Sequence, residues 1–442
     1  MPYKQDTEAC MADLIGPKGL TQDQVAGYAS GLSEGIADLR AKKESGALPL
    51  LRLPERRDDL PEMETVADRY RNFFEDVVVL GTGGSSLGGR ALYTMADPDK
   101  RGLAPRLHIV TNVDPFGFNR VIRHLDRRKT GWIVISKSGG TAETLMQFLS
   151  VLPLLRATLG DSRIKDHVTI ITEPGENPLR RLAKEFDLPV LDHDPNVGGR
   201  YSVLSVVGLL PTLIAGLDAK AVREGAADIL ERTLSAKDPL TADPALGAAV
   251  NVGLNKSSGI MAHVMLAYSD RLGSLARWYR QLWAESLGKD GEGTTPIYGT
   301  GPVDQHSQLQ LWLDGPADKM FTVLSGPLEE DTENVGPGTV EPVDPGLAKL
   351  TGMDYLAGRT LAELMDASRR GTSETLIEHG KPVRRIHFDA INEYALGGIM
   401  MHFMLETILS AHLLNVDPFD QPAVEHGKKL TRQYLFDLQN PS

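Results

Sequence analysis

The sequence predicts an α/β fold with two domains, each a parallel sheet flanked by helices. Short, nearly continuous runs of β-branched residues, such as Val77–Leu80 and Trp132–Ile135, alternate with stretches long enough for a helix. Such runs indicate strands buried on both faces, which is typical of parallel sheets covered by helices. A similar alternation begins near residue 245 and predicts a second domain of the same kind. Glycine- and serine-rich loops follow two of the first strands, at the sheet edge where α/β proteins bind ligands.

The elements of the first half follow in chain order. Thr21 is placed to cap a helical lead-in that fills the first 50 residues, and the polar stretch Arg52–Glu64, with two prolines, is typical of a linker. The strand candidates of the first domain are residues 77–80, 107–110, 132–135, 168–171 and 189–191.

In the second half, an acidic stretch rich in glycine and proline, Leu328–Pro345, is predicted to be a surface loop. Strand candidates are residues 259–267, 319–324 and 383–388, and helix candidates are residues 275–287, 360–379 and 390–414. We therefore divide the chain into an N-terminal helical arm with its linker (1–64), a first α/β domain (65–195), a second α/β domain (196–414) and a C-terminal helix (415–442).

The composition is that of an ordinary globular protein, and it limits the partners. The chain has 442 residues, with 47 Lys and Arg against 59 Asp and Glu, which gives a formal net charge of −12. This acidic balance disfavours nucleic acid as a partner, because nucleic-acid binding relies on basic surfaces. The one cysteine, Cys10, excludes an intrachain disulfide and a cysteine-based zinc site, and it fits a reducing, cytoplasmic location.

No membrane partner is expected. Met1–Gly16 lacks the apolar core of a signal peptide. Ala395–Leu414 is about long enough to span a bilayer, but it contains His402, Glu406 and His412, which would be costly in lipid. A helix buried in a domain core is the better interpretation of this segment.

A glycine-rich loop, Gly81–Arg90, follows the first strand of the first domain. Glycines there would let the backbone approach a ligand closely, and the next helix would present free N–H groups to an anion. The loop has Ser86 where a dinucleotide fingerprint requires glycine, and it has Arg90 and Ala91 where a nucleotide-triphosphate loop has Lys and Ser or Thr. A tight structural turn is the alternative interpretation.

A second loop, Ser136–Thr144, directly follows the strand candidate 132–135, and its first six residues carry three hydroxyls and one ammonium group. Hydroxyl and backbone donors without a nucleotide loop suit a monoester phosphate. A helix N-cap with a capping glutamate is an alternative that is compatible with phosphate binding.

Two further segments carry groups suited to acid–base chemistry. Two glycines precede Arg200 in Asn196–Ser202, so its guanidinium could point inward and stabilise an oxyanion, although an ordinary loop arginine would show the same pattern. Gln281 and Glu285 are four residues apart and share one face of a predicted helix. Glu285 could act there as a general base or could be an ordinary solvated glutamate.

The last two segments offer isolated polar residues. His306 lies in a loop bounded by glycine and proline, and loops often carry function. Gln421 and Lys428 are two helical turns apart near the C-terminus. A structural histidine and a solvated lysine are the commoner outcomes for such residues, so spacing alone does not assign them a role.

Taken together, the six segments resemble the glucose-6-phosphate isomerase (phosphoglucose isomerase) family, in the family's order and over most of the chain. Gly198–Ser202 and Ser136–Ser138 with Thr141 match its phosphosugar signatures, and the segments around His306 and Gln421 resemble the shorter bacterial members. The resemblance implies two sugar-isomerase (SIS) domains, each with a five-stranded parallel sheet. It also implies interconversion of D-glucose 6-phosphate and D-fructose 6-phosphate in glycolysis and gluconeogenesis, with no metal and no other cofactor.

The resemblance further implies a role for each matched residue. Arg200 corresponds to the residue that stabilises the enediolate, and Glu285 to the base that moves a proton between C1 and C2. His306 and Lys428 correspond to the pair that opens the sugar ring. Because the family's histidine reaches the site from the other subunit, a homodimer with shared active sites is implied. The matched substrate-binding residues are Gly84, Ser85, Ser136, Lys137, Ser138 and Thr141 at the phosphate, and Gln281 and Gln421 along the sugar.

Two alternatives come from other classes of protein. A non-catalytic sugar-phosphate-binding regulator would keep both phosphate loops but would need none of Glu285, His306 or Lys428. Such a regulator would usually add a DNA-binding helix-turn-helix, which the first 50 residues do not resemble. An aminosugar-phosphate enzyme would need a glutamine-hydrolysing segment with an N-terminal catalytic cysteine, and no such segment is found in the sequence.

Overall fold

The computed structural model describes residues 2–95, 104–328 and 340–439, and within them the strands form two five-stranded sheets. The strands are β1 (Tyr3–Asp6), β2 (Asp76–Leu80), β3 (Arg106–Val110), β4 (Thr130–Ile135), β5 (Val168–Thr172), β6 (Val190–Asp192), β7 (Ala262–Ala267), β8 (Thr295–Thr300), β9 (Lys319–Ser325) and β10 (Val383–Phe388).

Helices connect and flank the strands of both sheets, as the α/β prediction requires. The helices are α1 (Ala12–Ile15), α2 (Gln22–Ala26), α3 (Ala29–Ser45), α4 (Leu60–Phe73), α5 (Leu87–Met95), α6 (Pro115–His124), α7 (Ala142–Leu159), α8 (Ile164–His167), α9 (Pro178–Glu185), α10 (Val206–Ile214), α11 (Ala219–Ser235), α12 (Asp243–Ser258), α13 (Gly273–Leu287), α14 (Leu309–Asp314), α15 (Pro345–Thr351), α16 (Leu361–Glu378), α17 (Glu393–Leu414) and α18 (Glu425–Gln439).

All strands of the first sheet run parallel, in the order β3-β2-β4-β5-β6. β2, β4 and β5 are buried along their whole length, as expected of apolar strands between two layers of helices. The five strands predicted for this domain are all present, within two residues of the predicted bounds. The strand order reverses between β2 and β4, and such a reversal opens a ligand-binding crevice at the carboxyl ends of the two strands.

The second sheet has the order β1-β10-β9-β7-β8 and is mixed. Four of its strands run parallel, but β1 pairs antiparallel with β10, so that Tyr3 faces Phe388. The expectation of a parallel five-stranded sheet is corrected here. β1 is short and mostly polar, so it contains no apolar run that would have predicted a strand. β8 was missed because Pro296 and Gly299 weaken its strand pattern.

The N-terminal arm also differs from the prediction of a helical lead-in, because Tyr3–Asp6 is a strand. Thr21 does cap a helix, and its side chain and that of Gln24 form a reciprocal capping box. The predicted linker 52–64 contains the first turn of α4. Pro61 lies in that first turn, where proline is tolerated because its missing N–H would have no helical partner.

Helix α17 runs through the core of the second domain. Within the described ranges, it is the one helix long and apolar enough to cross a membrane, and 89 % of its most apolar window is buried inside the molecule. This burial agrees with the interpretation of a core helix. Its Glu406 is paired, with Oε2 2.8 Å from Nη1 of Arg384 and 2.7 Å from Nε2 of His402. Most of the predicted surface loop 328–345 lies outside the described residues.

Candidate active site

A crevice is expected at the carboxyl ends of β2 and β4, where the strand order reverses, and we call this place the cleft. The two strands pair in parallel with Leu80 opposite Val134, so the loops that follow them begin side by side. These are the glycine-rich and serine-rich loops of the sequence analysis, and they meet as neighbouring parallel strands require. Helix α13 of the second domain packs against α5, the helix that follows the glycine-rich loop, and forms the facing wall.

The glycine-rich loop needs its glycines for two different reasons. Gly83 has φ +56°, a left-handed conformation that residues with a side chain rarely adopt. At Gly84, a Cβ atom would lie 2.1 Å from the carbonyl carbon of Gly199 and 2.6 Å from the backbone nitrogen of Arg200. This close backbone contact joins the loop to the turn that carries Arg200. Ser85 is half-buried beside it.

The hydroxyls of the serine-rich loop are grouped. Ser136 Oγ is buried and lies 2.8 Å from Thr141 Oγ1, and Ser138 Oγ accepts a hydrogen bond from the Gly140 N–H at 3.3 Å. Thr141 occupies the N-cap position of α7, but its side chain makes no capping bond. The capping alternative with Glu143 is therefore wrong. The hydroxyls of Ser136 and Thr141 instead face each other in the loop.

Lys137 ties the serine-rich loop to the same turn. Its Nζ donates to the carbonyl of Pro195 at 2.6 Å and to that of Val197 at 3.2 Å, just before the two glycines that lead into Arg200. In the part of the chain that the structure describes, no carboxylate is bonded to this ammonium group. Its positive charge is therefore available to an anion in the cleft.

Arg200 is only 4 % exposed, and its guanidinium is extensively hydrogen-bonded. Nε donates to Ser286 Oγ at 2.8 Å, and Nη1 donates to Gln421 Oε1 at 2.7 Å. Nη2 donates to the carbonyls of Pro418 at 2.6 Å and Asp420 at 3.0 Å. The arginine thus connects the turn after the first sheet, helix α13 and residues 417–421, which we call the C-terminal segment.

Gln281 and Glu285 share one face of α13, as their spacing predicted. Gln281 Nε2 donates to Glu285 Oε1 at 3.1 Å, and Glu285 Oε2 lies 3.4 Å from Arg200 Nη1. The Glu285 side chain is 36 % exposed, so it is accessible from the cleft. Gln281 Oε1 is buried and has no hydrogen-bond partner among the described residues, which suits a ligand hydroxyl. A Cβ at Gly83 would lie 2.8 Å from Gln281 Nε2, so α13 also touches the glycine-rich loop.

The C-terminal segment is held from two sides against the cluster that Arg200, Gln281 and Glu285 form, which we call the Arg200 cluster. Lys289, just after α13, pairs through Nζ with Asp420 Oδ1 at 2.8 Å and also donates to the carbonyl of Asp417. The ring of Phe419 packs on that of Tyr201, with 5.4 Å between centroids. The segment is therefore fixed where Gln421 can reach the guanidinium.

Two predicted residues are not joined to the cluster. His306 and Lys428 are exposed, and within the described ranges neither forms a hydrogen bond or ion pair with Arg200, Gln281 or Glu285. The ammonium of Lys428 pairs with another residue of its own helix, Glu425, at 2.6 Å. One copy of the chain therefore brings together ten of the twelve predicted residues around the two loops, α13 and the C-terminal segment, and within the described ranges it bonds neither of these two to them: the ten are Gly84, Ser85, Ser136, Lys137, Ser138, Thr141, Arg200, Gln281, Glu285 and Gln421.

Three residues of the cluster were missed by the sequence analysis. Ser286 and Tyr201 are fully buried beside Arg200, and Lys289 holds the C-terminal segment. Burial raises the pKa of Tyr201 to about 12, so its hydroxyl stays protonated and can donate. The sequence offered one signal for a role of these residues, which is that each lies within four positions of Arg200 or Glu285.

The cluster combines two chemical capacities. Hydroxyls, an ammonium group and a helix N-terminus can bind an anion, and a carboxylate beside a guanidinium can move a proton at a carbon whose neighbouring oxygen gains negative charge. Among the residues described, no group of three or more His, Cys, Asp or Glu side chains is placed to hold a metal ion.

Comparison with known proteins places the sequence among relatives. The family model described as phosphoglucose isomerase matches residues 68–309. The chain is 38 % identical over 391 residues to the glucose-6-phosphate isomerase of Rubrobacter xylanophilus, covering 86 % of this chain and 87 % of that protein. It is also 38 % identical over 416 residues to that of Thermus thermophilus, covering 91 % and 94 %.

Solved structures share the architecture. The crystal structure of a hypothetical protein from Thermus thermophilus matches with a TM-score of 0.84 at 35 % identity, covering 98 % of this chain and 99 % of that one. A glucose-6-phosphate isomerase from Chlamydia trachomatis matches with a TM-score of 0.72 at 21 % identity, covering 88 % and 78 %, and at that identity it supports the fold alone.

Proposed function

The chain belongs to the phosphoglucose isomerase family, and from this we propose that its cleft interconverts D-glucose 6-phosphate and D-fructose 6-phosphate through an enediolate. The observation that carries the proposal is the contact of one guanidinium, Arg200, with both Glu285 at 3.4 Å and Gln421 at 2.7 Å. An aldose–ketose isomerisation needs a base at a carbon and a cation beside the neighbouring oxygen, and this contact sets the two side by side.

In the proposed reaction, Glu285 removes the proton from C2 of the open-chain aldose. The electron pair of the broken C–H bond forms the C1–C2 double bond, and the negative charge that develops on O1 faces Arg200. The carboxyl group then returns the proton to C1, while the O2 hydroxyl proton moves to O1 and leaves a ketone at C2. One carbon is oxidised as its neighbour is reduced, so the reaction needs no external electron acceptor.

The substrate phosphate is proposed to bind at the two loops and to supply the binding energy that positions the sugar. The hydroxyl of Thr141 is free of a capping role, and the Lys137 charge faces no bonded carboxylate among the residues described. Gln281, whose buried Oε1 has no partner among the described residues, is proposed to hold a sugar hydroxyl together with Gln421. The proposed phosphate ligands are Gly84, Ser85, Ser136, Lys137, Ser138 and Thr141.

A second copy of the chain is proposed to complete the site. Opening the sugar ring requires an acid and a base near the ring oxygen, and the family resemblance assigns this step to His306 and Lys428. Both side chains are exposed, and among the described residues of one copy neither bonds to Arg200, Gln281 or Glu285. A partner that presents His306 to the cleft would supply the missing group.

Helix α18 supports the same proposal. Its described side chains, from Glu425 to Leu438, are all exposed in one copy of the chain. Leu430, Tyr434 and Leu438 are four residues apart and form an apolar stripe on one face. An exposed apolar stripe of this kind is typical of a surface that docks on a protein, and a second copy of the chain is the proposed occupant.

The experiment is a coupled assay of glucose 6-phosphate formed from fructose 6-phosphate by the purified protein, with and without a chelator. We expect turnover that the chelator leaves unchanged. Sugar-phosphate binding without turnover would favour a regulator and contradict the proposed function. Turnover that disappears with the chelator would contradict its metal-free chemistry.

A further inference from the structure

Ser286 lies next to the proposed base in the sequence, but its side chain points to the arginine. It is fully buried in the last turn of α13. Its Oγ lies 2.8 Å from Arg200 Nε and 3.0 Å from the hydroxyl of Tyr201, which is also fully buried. The hydroxyl therefore sits between the guanidinium and the phenol, with no access to solvent.

The direction of each hydrogen bond follows from the groups involved. A guanidinium only donates, so Ser286 must accept from Arg200 Nε. The Tyr201 hydroxyl lies 3.4 Å from the carbonyl of Pro418, which only accepts, so Tyr201 donates there. Ser286 is left to donate its own proton to Tyr201. Because Arg200 Nη2 also donates to the Pro418 carbonyl at 2.6 Å, the bonds close into a ring.

We propose that Ser286, together with Tyr201, is a positioning residue that fixes the plane of the Arg200 guanidinium for the isomerisation. The ring binds Nε and Nη2, the two nitrogens on one side of the guanidinium. The other nitrogen, Nη1, is thereby directed at Glu285 and Gln421. The inference rests on the proposed function, since it concerns how that reaction's oxyanion is met.

Loss of the ring should damage the reaction more than substrate binding. Without Ser286 the arginine remains charged and close, but nothing holds its Nε edge, and a small misorientation of a catalytic group lowers turnover strongly. The phosphate is held by the two loops on the first sheet, which Ser286 does not touch. The predicted signature is a fall in kcat with a nearly constant KM.

The test compares the wild type with Ser286→Ala, Tyr201→Phe and the double variant. We expect kcat of Ser286→Ala to fall roughly 10- to 100-fold with KM nearly unchanged. The double variant should fall no further than Ser286→Ala, because the two hydroxyls act as one unit. Ser373→Ala and Tyr70→Phe are the matched controls. Each removes a buried hydroxyl that donates to a backbone carbonyl outside the Arg200 hydrogen bonds, that of Arg369 or of Trp132, and both variants should retain full kcat.

Two inhibitors separate positioning from general damage. A phosphorylated aldonohydroxamate mimics the enediolate, whereas sorbitol 6-phosphate carries the same phosphate without that charge. For Ser286→Ala, the inhibition constant of the hydroxamate should rise by about the factor lost in kcat, and that of sorbitol 6-phosphate should stay constant.

Each outcome decides the matter. An active wild type with a fully active Ser286→Ala, or an equal rise of both inhibition constants, would overturn the inference alone. An inactive wild type would overturn the proposed function and the inference with it. If circular dichroism shows that Ser286→Ala does not fold, Tyr201→Phe provides the same comparison. It keeps the aromatic ring of residue 201 packed on Phe419 and removes only the hydroxyl.

Discussion

All five N–H groups of Arg200 have hydrogen-bond partners within the chain. A guanidinium carries five N–H groups, and those of Arg200 point to Ser286, to Gln421, to Glu285 and to two carbonyls of the C-terminal segment. A substrate oxygen that gains charge must therefore replace one partner. Gln421 is exposed and contacts the arginine through its side chain alone, so its amide is the partner that can turn away and bond the sugar instead.

Removing this guanidinium should affect turnover more than phosphate binding. We expect Arg200→Ala to lower kcat roughly 100-fold, because a preorganised donor to an oxyanion commonly contributes that much. Lys137→Ala is the matched comparison, and it should raise KM more than it lowers kcat. Steady-state kinetics in both directions measure the two parameters. An Arg200→Ala variant with a raised KM and unchanged kcat would show that the arginine only holds the phosphate.

Single residues were predictable where spacing along one element determines geometry. Gln281 and Glu285 share a helix face because residues four apart on a helix do. His306 and Lys428 matched a family pattern equally well, yet in the described part of one copy neither bonds to Arg200, Gln281 or Glu285. Ser286 escaped prediction because its role depends on which neighbour faces it across two domains, and sequence spacing does not carry that information.

The glycine-rich loop and the arginine turn depend on one backbone contact between them. A methyl group at Gly84 would lie 2.1 Å from the carbonyl carbon of Gly199, whereas one at Gly89 would meet nothing closer than 3.7 Å. We expect Gly84→Ala to lower both thermal stability and kcat by separating the loop from Arg200. Gly89→Ala, within helix α5, should preserve both. Equal behaviour of the two variants in melting and kinetic assays would contradict this account of the cleft.

Strands were predicted well where burial on both faces produced an apolar run. Each of the five strands of the first sheet contains or overlaps such a run, and all five were predicted from the sequence. The edge strands β1 and β8 escaped because an edge strand need not be apolar on both faces. Their places in the sheet come from pairing with distant segments, which no local pattern encodes.

A buried polar network holds β1 in the second sheet. The hydroxyl of Tyr3 lies 2.7 Å from Nδ1 of His402, whose Nε2 lies 2.7 Å from Glu406. Glu406 also accepts from Arg384 at 2.8 Å and from Asn251 at 2.8 Å. The network thus joins the N-terminal strand, β10, α12 and α17, and its central carboxylate has partners on three of these elements.

This network should make stability depend on pH in the acid range. Burial alone would raise the pKa of Glu406, but the charge of Arg384 and the hydrogen bond from His402 lower it to about 2, below its ordinary value of 4.5. A carboxylate with a lowered pKa stabilises the fold above its unfolded pKa and loses that contribution as the pH falls. The free energy of unfolding should therefore decrease between about pH 4.5 and pH 2.

Glu406→Gln tests this assignment. Removing one partner of a buried ion pair should lower the free energy of unfolding at pH 7 by about 3–5 kcal/mol and flatten its acid dependence. Glu62→Gln, in an exposed position of α4, should change neither quantity. Denaturant unfolding at several pH values provides the measurement. A Glu406→Gln variant as stable as the wild type, with the same pH profile, would show that the network contributes little.

At the scale of the whole molecule, three basic side chains lie together at the cleft although the chain as a whole is acidic. The net charge is −12, yet Lys137, Arg200 and Lys289 converge at the edge where α13 of the second domain faces the first sheet. Neither domain has the full set alone, because the first contributes the glycine-rich and serine-rich loops and the second contributes Gln281 and Glu285. The proposed activity therefore depends on how the two sheets are joined.

The apolar stripe of α18 gives a test of the proposed dimer. We expect Leu430→Ser with Leu438→Ser to weaken self-association at least about tenfold, since each leucine would lose its burial against a partner. Arg432→Ser, on the opposite face of the helix, should leave association unchanged. Analytical ultracentrifugation over a range of concentrations measures the dissociation constants. A monomeric wild type, or a double variant that dimerises as the wild type does, would contradict the proposal.

The central claim is that Glu285 moves a proton on the sugar. The most direct measurement follows fructose 6-phosphate conversion in deuterium oxide by the wild type and by Glu285→Gln, with the deuterium at C2 of the product read by NMR. The wild type should form glucose 6-phosphate that carries solvent deuterium in part of the molecules. Glu285→Gln should lose roughly 100-fold or more of both turnover and deuterium incorporation while it still binds substrate. A variant that isomerises and incorporates deuterium at the wild-type rate would contradict the account.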